Sequence, residues 1–443
     1  MSTKATSNTT GVHEVIHNIQ QFWKRYKTLI LFTILLAIHV WLRFYLFFER
    51  ADLGWDQVDS AWAAKAILVD KNYLLSGPVA NQNTGIHMGP LYFYLIAIVY
   101  FFTNLDPIAS PIFQGILSIV NFFVLFFITK KLFGTQIALI AALMNTFCVL
   151  IMNMDRIQSA FYLIVPISYL IFYAMYKTIT GETKYILLLA AALGLSLHID
   201  FVSVFYPILV LLVLPFVPWK KSTLKYIALA IPVFLVFLVP SLLNETLIKH
   251  SSTTTNISAL FHTAYHGFHL TRFLQIAPDG LITFEQMIQF KMLRTVSFLV
   301  FPIFLFAYYK LHPEKKSLKL FYLMGIWILV PWVVLSTYNG QLTDYYFSLP
   351  RDFVIAIIAF LLYYLYEQKW LVAKVSVVLF FAGYIYYGMQ AFLEQSRGNL
   401  VPIEYKTRQA VESNVVVPFK DGDPSSYVYY VYTRQKKMLE KRK

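Results

Sequence analysis

The stretch GPLYFYLIAIVYFF, residues 89–102, decides how this chain is threaded. It is apolar throughout, yet it is short for a helix that must cross a hydrocarbon core, which takes about 20 residues. If it crosses, Lys130 and Lys131 fall on the outer side and every later basic loop inverts with them. If it lies in the outer interface or re-enters, the short loops 130–131, 177–184, 218–225, 310–319 and 368–370 share the cytoplasmic side with the basic N-terminus. Those loops hold Lys177, Lys184, Lys220, Lys221, Lys225, Lys310, Lys315, Lys316, Lys319 and Lys369. Most acidic residues then face outward: Asp52, Asp56, Asp59, Asp70, Asp106, Asp155, Asp200, Glu245, Asp279, Glu285 and Asp344. Lys and Arg collect in cytoplasmic loops during insertion, so the charge pattern selects the interfacial placement.

Composition supports a lipid-solvated chain. Of 443 residues 58% are hydrophobic and only 14% charged, against roughly 45–50% and about 25% in soluble domains. Mean hydropathy is +0.59. The formal charge of +14 reads as the basic loops of a membrane protein, so no nucleic-acid partner is expected. Cys148 is the single cysteine, which excludes an intramolecular disulfide and a cysteine-based metal site. The apolar run from Thr28 is longer than a signal-peptide core and reads as a retained first span.

Eleven crossings are expected: 28–48, 110–129, 135–152, 160–177, 184–199, 201–217, 223–243, 294–310, 319–336, 352–367 and 371–391. Long unbroken runs such as YILLLAAALGLSL lack the alternation of barrel strands, so the predicted fold is an all-α polytopic membrane protein. It divides into a cytoplasmic segment 1–27, a transmembrane domain 28–391 and a polar tail 392–443, with the N-terminus inside and the tail outside. Two outer loops are long, 49–109 and 244–293. The tail sequence IEYKTRQAVESNVVVPFKDGDPSSYVYYVY predicts a few strands or turns. There is no internal repeat.

The chemistry-bearing residues fall in the outer loops. Asp56 follows the first span with Gly54 and Trp55 before it and Asp59 one helical turn beyond. An ionised carboxylate at such a position can take a proton from an acceptor hydroxyl, or be a solvated surface charge. His87 precedes Gly89-Pro90; it can meet an anion or metal, or cap a helix. Arg156, in the tight loop 153–158, suits a phosphate through its permanent planar charge, or pairs with Asp155, or snorkels into headgroups. His198 and Asp200 tip the hairpin LSLHIDFVSVF as an ionisable pair or a satisfied turn. Glu245, Lys249 and His250 follow another span. Asp344, Tyr345, Tyr346 and Arg351 lie in DYYFSLPRD, where the tyrosines suit sugar stacking or the interfacial aromatic belt. Arg43, inside the first span, is expected to snorkel outward. No P-loop, G-x-G-x-x-G, H-E-x-x-H or G-x-S-x-G is present, so a soluble nucleotide site is not supported.

In order along the chain, five places resemble the GT-C superfamily of polyprenyl-phosphate-dependent membrane glycosyltransferases, in the branch of protein O-mannosyltransferases and aminoarabinose transferases. They are Trp55-Asp56-Gln57; His87-Met88-Gly89-Pro90-Leu91-Tyr92-Phe93-Tyr94; ITKKLFG at 128–134; VPSLLNETLIKH at 239–250; and Asp344-Tyr345-Tyr346-Phe347 with Pro350. The likeness covers roughly residues 25–366.

The resemblance implies sugar transfer from a polyprenyl-phosphate donor to a lipid, glycan or protein acceptor on the extracytoplasmic side of a membrane, the plasma membrane being expected. It implies Asp56 as general base in an inverting displacement, with Asp59 able to share or take that role. Arg156, Lys249, His250 and Arg351 would stabilise the phosphate leaving group, and His87, His198, Asp344 and Tyr345 complete the expected substrate-binding set. Relatives differ in using a divalent metal, and no ligand spacing here asserts one. Two departures stand out: Val58-Asp59 where the branch carries an arginine, and Met88-Gly89 where it carries a proline pair. The rival reading is a transporter or lipid-linked sugar flippase. It is disfavoured by spans largely free of charge and by the lack of repeated halves.

Overall fold

The computed structural model describes residues 7–79, 87–247, 267–290, 299–311, 315–338, 346 and 348–441. These residues form helices and short 3-10 turns, with an isolated bridge between Val79 and His87. The helices are α1 (Ser7–Phe44), α2 (Trp55–Leu68), α3 (Leu91–Phe102), α4 (Ala109–Phe133), α5 (Thr135–Phe147), α6 (Val149–Met154), α7 (Ile164–Ile179), α8 (Tyr185–Ser196), α9 (Phe205–Val213) and α10 (Lys221–Leu247). They continue as α11 (Leu270–Ile288), α12 (Val300–Leu311), α13 (Lys315–Leu335), α14 (Ser348–Tyr366), α15 (Leu371–Leu393), α16 (Leu400–Glu412) and α17 (Pro424–Glu440).

Among the described residues six helices are long and apolar enough to cross a membrane, and six shorter apolar helices accompany them. The main core gathers α5, α7, α9, α13 and α14 around Trp327, Phe172, Phe353 and Tyr206. Only 6% of the apolar window of α10 is buried within the protein, so that helix turns its leucines and valines to lipid. The segment that opened the sequence question becomes α3, 12 residues long, or about 18 Å at the usual helical rise. A hydrocarbon core is about 30 Å thick, and α8 and α12, also 12 residues each, share this shortness. One face of α3 packs Tyr92, Ile96 and Tyr100 on Ala61 and Ala64 of α2, while Ile98, Phe101 and Phe102 are exposed. Both faces of α3 are therefore apolar, and the outward one is left to lipid.

Two expectations are corrected. The run 135–152 is not one helix: it breaks at Cys148, whose ψ of 118° lies outside the helical region. A broken helix in lipid must satisfy its freed backbone groups elsewhere. Gln289 does so here. Its Oε1 accepts from Val149 N at 2.7 Å and its Nε2 donates to Phe147 O at 3.2 Å. Gly388 of α15 lets the helices close on the break, because a Cβ there would stand 2.3 Å from Phe147 O.

The tail is likewise not strands or turns but two helices, α16 and α17. Asp423 caps α17 by accepting from Ser425 N at 3.1 Å, with Pro424 in the first turn. Helical spacing buries Leu400 and Val411 of α16 against Val428 and Tyr432 of α17, over Ala51 and Leu53. That long-range apolar face overrides the local turn signals of Gly422 and Pro424. Asn399 ties the hairpin down through Leu53 N at 2.7 Å, Leu53 O at 3.0 Å and Asp52 at 2.9 Å. Trp41 near the end of α1 meets Phe392 near the end of α15, ring to ring at 5.3 Å. Those two helices therefore finish at the same level, and the tail covers the loop that follows α1.

Candidate active site

The start of α2 presents the two acidic residues, Asp56 in its first turn and Asp59 one turn on. Gly54 precedes it, and Gln57 Oε1 accepts from Gly54 N at 2.7 Å, which closes the helix start. The other end of the Gln57 amide donates to Gln158 O. Gln158 is fully buried and in turn donates to Ser60 Oγ at 3.2 Å and to the Tyr92 hydroxyl, and accepts from Ser110 Oγ at 3.2 Å. Buried side-chain amides of this kind fix geometry because each unmet hydrogen bond is costly. The loop 155–159 is thereby stitched beneath α2, and it delivers Ser159, whose hydroxyl donates to Asp56 Oδ2 at 3.3 Å.

The Asp56 carboxylate stays accessible although protein surrounds it. Burial raises its pKa and the Ser159 hydrogen bond partly offsets the rise. Asp59 is also raised, by burial first and then by the charges of Asp56 and Asp421, with His87 opposing. Asp200 is pushed up to about 6, chiefly by burial and further by Asp56. Two carboxyls of α2 and one from the 198–200 hairpin thus share one field, and a fourth, Asp421, reaches it from the tail. Crowded carboxyls of raised proton affinity are a functional-site signature, and an ionised one with a hydroxyl donor is suited to base work.

The remaining expected residues divide. His87 is exposed beside this group, its Nδ1 donating to Gly77 O at 3.2 Å. It does not cap α3, whose capping position is Pro90. His198 is buried and structural: its Nε2 donates to Phe237 O at 2.7 Å and its Nδ1 faces Leu91 N at 3.5 Å. Gly89 is required there, since a Cβ would stand 2.0 Å from His198 Nδ1. This accounts for glycine after Met88. Asp200 is a turn cap, accepting from Val202 N at 2.9 Å.

Arg43 does not snorkel. It is buried, and its Nε meets Asp155 Oδ2 at 2.9 Å, while its two terminal nitrogens donate to Thr146 O at 2.6 Å and Asn145 O at 3.0 Å. A carboxylate and two backbone carbonyls give the guanidinium its full set of partners inward. Asp155 is therefore the partner of Arg43, not of its neighbour Arg156. Arg156 lies over the Phe392 ring at 5.7 Å, with Arg50 over the same ring at 4.7 Å. Burial lowers Arg156 to about 9, and Arg50 and Arg43 add repulsion. Both terminal nitrogens of Arg156 lack a hydrogen-bond partner. Lys249, His250, Asp344 and Tyr345 lie outside the described residues, as does the side chain of Arg351.

Sequence reading missed Ser159, Gln158 and Tyr92, since a serine, a glutamine and an aromatic carry no signal until the fold makes them converge. Between α8, α9 and α10 there is also an almost wholly apolar recess of about 700 Å³, lined by Leu193, Leu197, Ile227 and Ile231. Ser203, three residues beyond Asp200, is one of its few polar lining residues. Among the described residues no group of three or more His, Cys, Asp or Glu side chains is arranged to hold a metal.

Residues 87–243 match the family model of dolichyl-phosphate-mannose-protein mannosyltransferases. The whole chain superposes on ArnT from Cupriavidus metallidurans bound to undecaprenyl phosphate with a TM-score of 0.57, covering 93% of this chain and 72% of that one at 13% identity. The chain has the GT-C glycosyltransferase fold. The apo form of the same ArnT gives a TM-score of 0.58 at 13% identity, over 91% of this chain and 84% of that one. The Archaeoglobus fulgidus oligosaccharyltransferase in its apo form shares the GT-C fold at a TM-score of 0.55 and 12% identity, over 93% of this chain and 60% of that one. No curated protein matches by sequence. The family match covers residues 87–243, and the solved structures show the fold that the chain shares. The segment holds His87, Arg156, His198 and Asp200, whereas Asp56 and Asp59 precede it.

Proposed function

We propose that this chain transfers a sugar from a polyprenyl-phosphate donor to an acceptor on the extracytoplasmic side, with Asp56 as general base in an inverting displacement. The observation that carries the reading is the accessible Asp56 carboxylate, oriented by Ser159 at the first turn of α2 and crowded by Asp59 and Asp200. Ionised, Asp56 takes the proton of an acceptor hydroxyl or amine as that nucleophile attacks the anomeric carbon. The bond from that carbon to the phosphate oxygen breaks, and the electron pair leaves with polyprenyl phosphate. Asp59 sits one turn on, placed to substitute as base or to hold the acceptor. His87 stands beside them to bind the donor or acceptor, and Asp200 adds its charge at the hairpin tip. The apolar recess between α8, α9 and α10 has the size and lining to take a prenyl or acyl chain.

Cations for the leaving phosphate are proposed in Arg156, Lys249, His250 and Arg351, with Asp344 and Tyr345 as further contacts. A divalent cation would find Asp56 and Asp59 as its carboxylates. The described residues offer no third ligand arranged beside them. The eleven-span threading, N-terminus inside and tail outside, belongs to the same proposal. It is supported by α1 and α15 ending together.

The test is transfer of radiolabelled sugar from polyprenyl-phosphate hexose or pentose donors by membranes carrying wild type or Asp56→Asn. Transfer by wild type and its loss in the variant are expected. Undiminished transfer by Asp56→Asn would exclude Asp56 as base and make Asp59→Asn the next variant. Single cysteines at Ser76 and Ser317 should be labelled from outside and inside respectively.

A further inference from the structure

The tail hairpin and α2 enclose a second cavity, of about 600 Å³, that the proposed transfer step does not use. Its volume is that of an ordinary ligand site, commonly about 300–1,000 Å³. One wall is aromatic, from Trp62 of α2, Phe419 of the loop before α17, and Tyr429 and Tyr430 of α17. The far end is basic, with Arg434, Lys437 and Lys441 on the same helix. Among the described residues none of these three cations forms an ion pair. Lys65, which lies over the Tyr430 ring at 5.4 Å, is already held by Asp70 at 2.6 Å. Glu440 is the one acidic side chain within the basic turn.

The groove and the acidic site share α2 and the loop before α17. Trp62 lies three residues beyond Asp59, on the same helical face. The loop that carries Phe419 folds over Trp55, so closely that a Cβ on Gly422 would stand 1.8 Å from that ring. It also brings Asp421 near enough to raise Asp59. A chain lying along the aromatic wall would thus have one end beside the carboxylates and its body against unpaired cations. Aromatic faces take the flat apolar faces of sugar rings, and unpaired lysine and arginine side chains select negative charge.

We propose that this groove binds the acceptor as an anionic saccharide chain, with aromatic stacking along Trp62 and Tyr430 and carboxylate or phosphate substituents on Arg434 and Lys437. The assignment rests on the glycosyl-transfer reading only in calling the bound chain the acceptor. The wall chemistry holds regardless of the reaction.

The test is calorimetric titration of the full chain, in detergent and without donor, with the hexamer of galacturonic acid and with the uncharged hexamer of galactose. Tighter binding of the acidic hexamer, by at least tenfold, is expected. Arg434→Gln with Lys437→Gln should weaken it about tenfold and raise the acceptor KM with little change in kcat, while Trp62→Ala should weaken both hexamers and Trp62→Phe restore them. Equal binding of the two hexamers, or unchanged binding by the double variant, overturns the proposal. So does loss of hexamer binding in nanodiscs of phosphatidylglycerol but not phosphatidylcholine, which would make the bilayer surface the occupant. Asp56→Asn should leave binding intact, so failure of the transfer reading and failure of the groove are read separately.

Discussion

The Arg43–Asp155 pair gives the sharpest structural prediction, because its parts can be counted. Arg43 and Asp155 expose 1% and 7% of their side chains, and one ion pair at 2.9 Å joins α1 to the loop beneath α2. Arg43 also satisfies the carbonyls of Asn145 and Thr146 at the end of α5. Asp155 accepts from Ser118 Oγ at 2.7 Å, and Ser118 meets His39 at 2.9 Å. Arg43→Met strands a buried carboxylate and two backbone acceptors. Removing one partner of a buried pair costs about 3–5 kcal/mol, and the two carbonyls place this case toward the top of that range. Asp155→Asn keeps the shape but leaves the guanidinium uncompensated, at a cost in the same range. Replacing both, Arg43→Met with Asp155→Leu, removes both charges together. Its loss should fall short of the sum of the singles by about 2–3 kcal/mol, the coupling typical of contacting residues at its upper end. Equilibrium unfolding in mixed detergent–SDS micelles, followed by tryptophan fluorescence, measures all three. Singles costing under about 1 kcal/mol, or costs that simply add, would refute the reasoning.

Asp56→Asn should lower transfer by about 10²–10⁴-fold, the usual worth of a general base, with unfolding stability little changed; Asp59→Asn should cost less. Ser159→Ala removes the hydrogen bond that favours ionised Asp56, so the carboxyl pKa rises and the acid limb of the pH–activity profile moves to higher pH. A limb unmoved or shifted down would show that Ser159 does not bear on the reacting base. Asp200, pushed to about 6 in the folded chain from the ordinary 3.8, binds a proton more tightly folded than unfolded. Stability should therefore fall as pH rises from about 4 to about 6, with the penalty full above that. Asp200→Asn, which can still accept from Val202 N, should stabilise the protein at pH 7 in the same unfolding assay. Gly89→Ala should be strongly destabilising, since its Cβ would overlap the His198 ring held between α3 and α10.

Sequence by itself determined that the protein is helical and membrane-embedded, and that Asp56 and Asp59 stand one helical turn apart after the first span. Each follows from a local property: apolar run length against bilayer thickness, and the spacing of the two carboxylates. Tertiary structure decided the rest. Cys148 interrupts an apolar run that has no proline or glycine, and the break is held by Gln289, more than a hundred residues away. Arg43 turns inward because Asp155 and two carbonyls wait for it there, and no local pattern encodes so distant a partner. The tail forms helices because Ala51 and Leu53 offer an apolar seat, which reverses what its glycine and proline suggest in isolation. Ser159 acquires a role through Gln57 and Gln158, whose hydrogen bonds exist only once α2, α3 and α4 have packed. The residue types were visible along the chain, but the energy of a buried polar group depends on what is brought to meet it.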